Sequence, residues 1–239
     1  VQDQAVVIIN TPAHNPTGYT FTLEDWDKVI DIFKSFPHKN IICVVDIAYL
    51  DFAGEAYEYR AFLKKLTGLP HHILPLIAFS ASKGFTMYGM RCGALLCMAP
   101  TAELAKEFRD AASVASRASW SNGNHSAMAV ISKIFADDAL LAKVTDERNH
   151  YMQILQERGR AFMEEANKIG LKCCPYDSGF FITVPCENAE EVGKALQVLN
   201  VFAIPLGPGI RVSVASNTVE ECRAIPGRLQ QAIESVNGK

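Results

Sequence analysis

Leu76-Ile77-Ala78-Phe79-Ser80-Ala81-Ser82-Lys83-Gly84 is the stretch that decides the fold. Four apolar residues read as a short strand, and they stop at two hydroxyls and a lysine. The same grammar occurs earlier. Ile41 to Val45 runs into Asp46-Ile47-Ala48-Tyr49, and Ala5 to Ile9 precedes His14-Asn15-Pro16-Thr17-Gly18. These Val- and Ile-rich runs read as buried strands. A fourth strand, Gly93 to Met98, follows Arg91. Between the first two, Thr22 offers an N-cap, and Trp26, Val29, Ile30 and Phe33 form one stripe of an amphipathic helix. Strands alternating with helical or loop segments predict an α/β domain with a mostly parallel sheet.

The second half has a different texture. Asp137 to Ile169 lacks proline, and its apolar residues recur at multiples of three and four. The spacing predicts one long helix, or two nearly continuous ones, stopped by Gly170. Short strands are expected at Phe180 to Val184, Val201 to Ile204 and Ile210 to Val214. Helices are expected from Asn188 with Glu191, and from Thr218 with Glu221, each as a capping box. This describes a smaller α+β unit. The expected division is therefore 1–140 and 141–239, with the second domain entered through the long helix.

Composition narrows the function classes. Of 239 residues, 49% are hydrophobic and 21% charged, enough apolar material for a core and against disorder. The 23 Lys and Arg are interspersed with 26 Asp and Glu, so no basic footprint argues for nucleic acid. The longest uncharged stretch, Gln4 to Leu23, carries His14, two asparagines and two prolines, which argues against a membrane span. The start, Val1-Gln2-Asp3-Gln4, has no basic n-region, so no signal peptide is expected. Seven cysteines, an odd count without C-x-x-C, read as reduced core residues of a cytosolic protein. His71-His72 is the one histidine cluster and has no ligand partner at suitable spacing, so no metal is expected.

The polar strand ends carry the chemistry, because ligands of open α/β sheets collect beyond the carboxyl ends of strands. Each has an ordinary reading. His14 to Gly18 is turn chemistry. Asp46 could cap a helix or turn, although an acid behind four apolar residues is costly unless it meets a cation or donors. Lys83 could be a solvated loop residue, or an amine desolvated into a nucleophile. Arg91 could be a surface charge, or could close on a phosphate bidentately. Together they suit one cofactor. Pyridoxal phosphate needs an amine for its Schiff base, an acid beside the pyridine nitrogen, donors to the ring oxygen, and hydroxyls with a cation for the phosphate. Lys83, Asp46, Asn15 with Tyr49, and Ser80, Ser82 with Arg91 would supply these in turn.

The sequence resembles the fold-type I, class I aminotransferases, nearest their aspartate/aromatic amino-acid branch. The resemblance rests on Ala13-His14-Asn15-Pro16-Thr17-Gly18, Asp46-Ile47-Ala48-Tyr49 with Phe52-Ala53, Ser80-Ala81-Ser82-Lys83 and Tyr88-Gly89-Met90-Arg91-Cys92-Gly93. Arg117 before Trp120-Ser121-Asn122, and Gly209 to Ala215, complete it in the family's order. It implies pyridoxal 5'-phosphate carried on Lys83, which then moves the proton during transamination. Asp46 would pair with the pyridinium nitrogen, Tyr49 and Asn15 with the ring's phenolic oxygen, and Ser80, Ser82 and Arg91 with the phosphate. Arg211 would clamp the substrate α-carboxylate. Its ordinary reading is a charge on an edge strand, turned away from the face of Ile210 and Val212. Arg117, otherwise a solvated helix-end residue, would reach the distal carboxylate of a dicarboxylic substrate in a partner subunit, implying a homodimer.

The resemblance covers the C-terminal part of the family's chain: an incomplete large domain plus the small domain. It implies amino-group transfer between aspartate or aromatic amino acids and a 2-oxo acid, with 2-oxoglutarate as acceptor; the reduced cysteines point to a cytoplasmic location. Other readings of the same residues are a C–S lyase or decarboxylase on this fold, the ligand-sensing domain of a transcription regulator, and a cofactor-free, inactive piece.

Overall fold

The computed structural model describes residues 3–54 and 58–238. Two compact units emerge. The first comprises Val1–Thr11 and Phe21–Arg148, the second Pro12–Thr20 and Asn149–Lys239.

The first unit is built on a four-stranded sheet in the order β1 (Gln4–Asn10), β2 (Asn40–Asp46), β3 (Ile73–Ser80) and β4 (Gly93–Cys97). β1, β2 and β3 run parallel and β4 antiparallel, the mostly parallel sheet expected from sequence. Helix α1 (Leu23–Lys34) starts where Thr22 and Asp25 close a capping box. It packs Trp26, Ile30 and Phe33 on Ile41, Cys43 and Val45 of β2, together with Phe62 and Leu66 of the 3-10 helix Glu58–Leu66. Trp26 and Phe62 stack with ring centroids 5.1 Å apart. The opposite side differs from expectation. Val6 and Ile8 of β1 are 63% and 71% exposed, so β1 is not buried on both faces. The reason is that α1 and the 3-10 helix cover only the face of Ile41, Cys43 and Val45.

Beyond the single turn α2 (Ala81–Gly84), α3 (Ala102–Ser119) starts at Thr101, whose hydroxyl accepts from the Leu104 N–H. Sequence periodicity did not separate out α4 (His125–Phe135). The long helix is a single α5 (Asp138–Ile169), and the two units divide within it, at Arg148 and Asn149.

In the second unit, β5 (Phe181–Pro185), β6 (Ile204–Leu206) and β7 (Gly209–Ser213) form an antiparallel sheet in the order β5-β7-β6. Helices α6 (Ala189–Val198) and α7 (Val219–Asn237) pack on one another, and α6 also packs on β6 and β7. Phe162, Ile182, Val184, Leu196, Ile210 and Leu229 are fully buried here. α7 opens with the expected Thr218–Glu221 capping box.

Two expectations fail for local reasons. Val201 is not in a strand. Its N–H bonds the Leu196 carbonyl and the Asn200 N–H bonds that of Gln197, with Asn200 at φ +57. That is a Schellman close of α6, and Val201 is the hydrophobe that accompanies it. Asn188 sits at φ +52 and its side chain makes no cap bond, so the Asn188–Glu191 box does not form. Segment 12–20, expected with the first domain, packs in the second unit. There Thr183 donates to the Pro16 carbonyl (2.8 Å), the Thr20 N–H donates to Asp177 (2.8 Å), and Gly18 O accepts the Asp177 and Ser178 N–H groups.

Gly159 of α5 faces Tyr176, whose phenol donates to the Gly179 carbonyl (3.0 Å). A Cβ at 159 would meet the Tyr176 hydroxyl and lie 2.7 and 2.8 Å from ring carbons. Gly159→Ala therefore tests packing against propensity. In an open helix it would stabilise by about 1 kcal/mol. Here overpacking should make the net effect a loss of about 1–3 kcal/mol, read from urea midpoints. A raised midpoint would show that Tyr176 yields freely.

All seven cysteines are free. Two, Cys43 and Cys222, are buried as expected, and the other five are only half-buried. Burial pushes the Cys43 thiol up to about 11 from its ordinary 9.0. A group whose folded pKa lies above its unfolded value contributes stability in full below the unfolded pKa, and loses it as pH rises through the folded one. The urea midpoint should therefore fall between pH 9.0 and about 11. In Cys43→Ala, with no thiol to ionise, the fall should be shallower. Parallel slopes in the two proteins would contradict this assignment.

Candidate active site

The chemistry-bearing side chains of the first unit gather at one sheet edge because of strand register. Asn10, Asp46 and Ala78 stand in a row across β1, β2 and β3, and Ser80 pairs with Gly93 at the start of β4. The Asp46 and Ser80 motifs thus begin where their strands leave the ladder. Asp46 Oδ1 accepts the Ala48 N–H at 3.0 Å, and its backbone carbonyl takes Thr11 N–H and Asn10 Nδ2. The Asp46 carboxylate is held in one orientation by its own turn.

Ser80 is the N-cap of α2, its Oγ accepting the Ser82 N–H at 3.2 Å. This turn swings Lys83 back over the sheet edge. Lys83 Nζ lies 4.0 Å from the centroid of the Tyr88 ring and 5.5 Å from that of Tyr49. An ammonium on aromatic faces is stabilised by the ring quadrupoles without being neutralised. Among the described residues no carboxylate pairs with it. Tyr49 and Ser82 are buried. Arg91 is exposed and left-handed (φ +49), and its Nη1 donates to the Tyr88 carbonyl at 3.0 Å. Tyr88 has no role in the sequence reading. It opens the Tyr88 to Gly93 stretch of the resemblance, which assigns it no task.

Arg117 stands near the end of α3, its Nη1 donating to Ser121 Oγ at 2.9 Å. It lines a groove of about 940 Å³ with Leu95 and Cys97 of β4 and with Trp120, which is 76% exposed.

Asn15 and Arg211 belong to the second unit and meet each other there. Arg211 Nη1 donates to Asn15 Oδ1 at 2.9 Å, and the guanidinium carbon lies 4.4 Å from the Phe181 ring centroid. Strand alternation holds as expected, with Ile210 and Val212 buried and Arg211 half-exposed, but β7 is the central strand of its sheet and not an edge. Nearby, His14 Nδ1 is 2.8 Å from Thr17 Oγ1, and burial lowers the imidazole's pKa.

Comparison with known proteins bears on this edge. The family model for aminotransferase class I and II matches residues 1–229. The aromatic-amino-acid aminotransferase of Escherichia coli is 32% identical over 212 residues, 85% of this chain and 51% of that one. The aspartate aminotransferase of the same organism is 27% identical over 228 residues, 92% of this chain and 55% of that one. A solved aminotransferase from Anaerococcus prevotii superposes with a TM-score of 0.94 at 33% identity, over 97% of this chain and 57% of that one. The chain belongs to the aminotransferase class I and II family. It spans about half the length of the curated relatives it matches. The family depends on pyridoxal phosphate. The residues at hand fit that group: an amine unpaired with acid, a pre-oriented carboxylate, a buried phenol and two hydroxyls share one sheet edge.

Proposed function

We propose that the protein is an aminotransferase that moves an amino group between aspartate or an aromatic amino acid and a 2-oxo acid, 2-oxoglutarate being the acceptor, with pyridoxal 5'-phosphate. The observation that carries this reading is Lys83 Nζ, held on two aromatic rings at the edge where Asp46 also ends its strand. The bound cofactor supplies an electron sink that acidifies the substrate's α-C–H.

Each residue then has a task. Lys83 Nζ would hold the cofactor covalently and, once freed, carry the proton at the α-carbon. Asp46 would keep the ring nitrogen protonated, a charge-assisted bond aided by the orientation its own turn imposes. Tyr49 and Asn15 would bond the ring oxygen, and Ser80, Ser82 and Arg91 the phosphate. Arg211 would take the substrate α-carboxylate, with the Asn15 contact and the Phe181 ring fixing the plane of its fork. Arg117 would read a distal carboxylate in a partner subunit. A homodimer is supported by apolar surface beside this arginine: Leu95 and Trp120, which line the same groove, are exposed. A cytoplasmic location is supported by seven free cysteines. No described helix is long and apolar enough to cross a membrane.

Two measurements test this in the full-length protein. In wild type, borohydride should fix the cofactor on the peptide carrying Lys83, and Lys83→Ala should abolish the adduct. Undiminished trapping in the variant would sink the assignment. Arg211→Lys keeps the charge but loses the fork, so KM should rise about tenfold or more for every amino-acid substrate. A rise confined to dicarboxylic substrates would mean that Arg211 reads a side chain instead.

A further inference from the structure

Asp51 lies in the 3-10 turn Leu50–Phe52, which follows Tyr49 directly and packs against the Lys83 turn. Its Oδ1 accepts from Arg148 Nη1 at 2.8 Å and from Arg60 Nη2 at 2.9 Å. The Asp51 and Arg148 side chains are only 13% and 15% exposed, against 44% for Arg60. The Asp51–Arg148 pair is therefore the inner one, little screened by solvent. Asp51 Oδ2 presses on Gly84, in the space a Cβ would fill. A residue without a side chain is what this approach requires. The Arg148 guanidinium carbon lies 5.3 Å from the Phe85 ring centroid. Phe85 in turn packs against Phe79 and Phe135, with centroids 6.3 and 6.2 Å away.

Both residues that follow Lys83 are thus gripped by one ion pair, Gly84 by its carboxylate and Phe85 by its guanidinium. The grip has a cost. Arg148 Nε is buried and meets no acceptor among the described residues. An unmatched buried donor destabilises the folded state. Two cations on a single carboxylate add repulsion between them. Departures of this kind from local optimality collect where function holds a geometry.

We propose that Asp51, backed by Arg148, is a positioning residue for Lys83. The pair fixes the Ala81–Gly84 turn and, through its own 3-10 turn, the Tyr49 ring, so that Nζ is presented in one direction. Neither side chain is placed at the reacting amine; both act through the backbone that carries it. The inference rests on the reading of Lys83 as the reacting lysine.

The test uses Asp51→Asn and Arg148→Lys in the full-length protein. The first keeps shape and removes charge; the second keeps charge and removes the fork. Three quantities are read well below the melting temperature: the rate at which pyridoxal phosphate forms a borohydride-stable adduct on the Lys83 peptide, kcat, and KM. A mispositioned amine should slow adduct formation and lower kcat by about tenfold or more. Amino-acid KM should stay within about threefold, because the substrate-binding groups are untouched. A variant with a lower melting temperature but wild-type adduct rate and kcat would show a purely structural pair and overturn the proposal. If Asp51→Asn does not fold, Arg148→Lys decides by the same criterion. A wild-type protein that forms no adduct at Lys83 would overturn the reading of that lysine, and this inference with it. A reactive wild type matched by equally reactive variants would overturn the positioning role alone.

Discussion

The parallel register of β1, β2 and β3 is the constraint on which the rest depends. It aligns Asn10, Asp46 and Ala78 in one row, so three chain segments turn off the sheet at nearly the same height. Apolar strand residues cannot carry acid–base chemistry, and residues far beyond the strands would lack fixed positions. The first few residues past the ladder satisfy both needs. Asp46 is oriented by its own turn. Lys83 is delivered by a single helical turn that Ser80 caps. A slip of one residue between β2 and β3 would reverse which face each side chain takes and would disperse the group. The buried layer beneath, with Trp26 stacked on Phe62 and Ile41, Cys43 and Val45 packed below, is what forbids such a slip.

The second unit solves a different problem, that of holding an arginine at a defined angle. Arg211 sits on the central strand of a three-stranded sheet, so both neighbours hold its backbone. Phe181 and Asn15 then hold its head. Asn15 can serve only because segment 12–20 is fastened to this unit by Thr183, Asp177 and Tyr176, with Gly18 and Gly159 small enough to admit the tyrosine ring. A loop that sequence order assigns to one unit is structurally part of the other.

How much of this was legible in the sequence follows from the range of the interactions. Strand ends, the Thr22 and Thr218 caps, and the long helix up to Gly170 are signals within a few residues, and they read correctly. Val201 misled because a helix-closing hydrophobe and a strand residue look alike without the carbonyl that receives the N–H. Asn188 misled because its left-handed backbone removes the geometry that a cap requires. The candidate residues Asp46 and Lys83 stood out because each follows an apolar run. Tyr88 as a ring beneath the lysine, and Asp51 joined to Arg148, did not. The latter contact joins residues far apart in the sequence of the first unit, and an ion pair between distant positions leaves no periodic trace.

The central claim is that the sheet edge presents one reactive amine to pyridoxal phosphate. The most direct measurement is a visible absorbance titration of the full-length protein with pyridoxal phosphate, without substrate. A band distinct from that of the free cofactor, saturating at one equivalent per chain and shifting when an amino acid is added, is the predicted result. A spectrum identical to the free cofactor at every ratio would contradict the account.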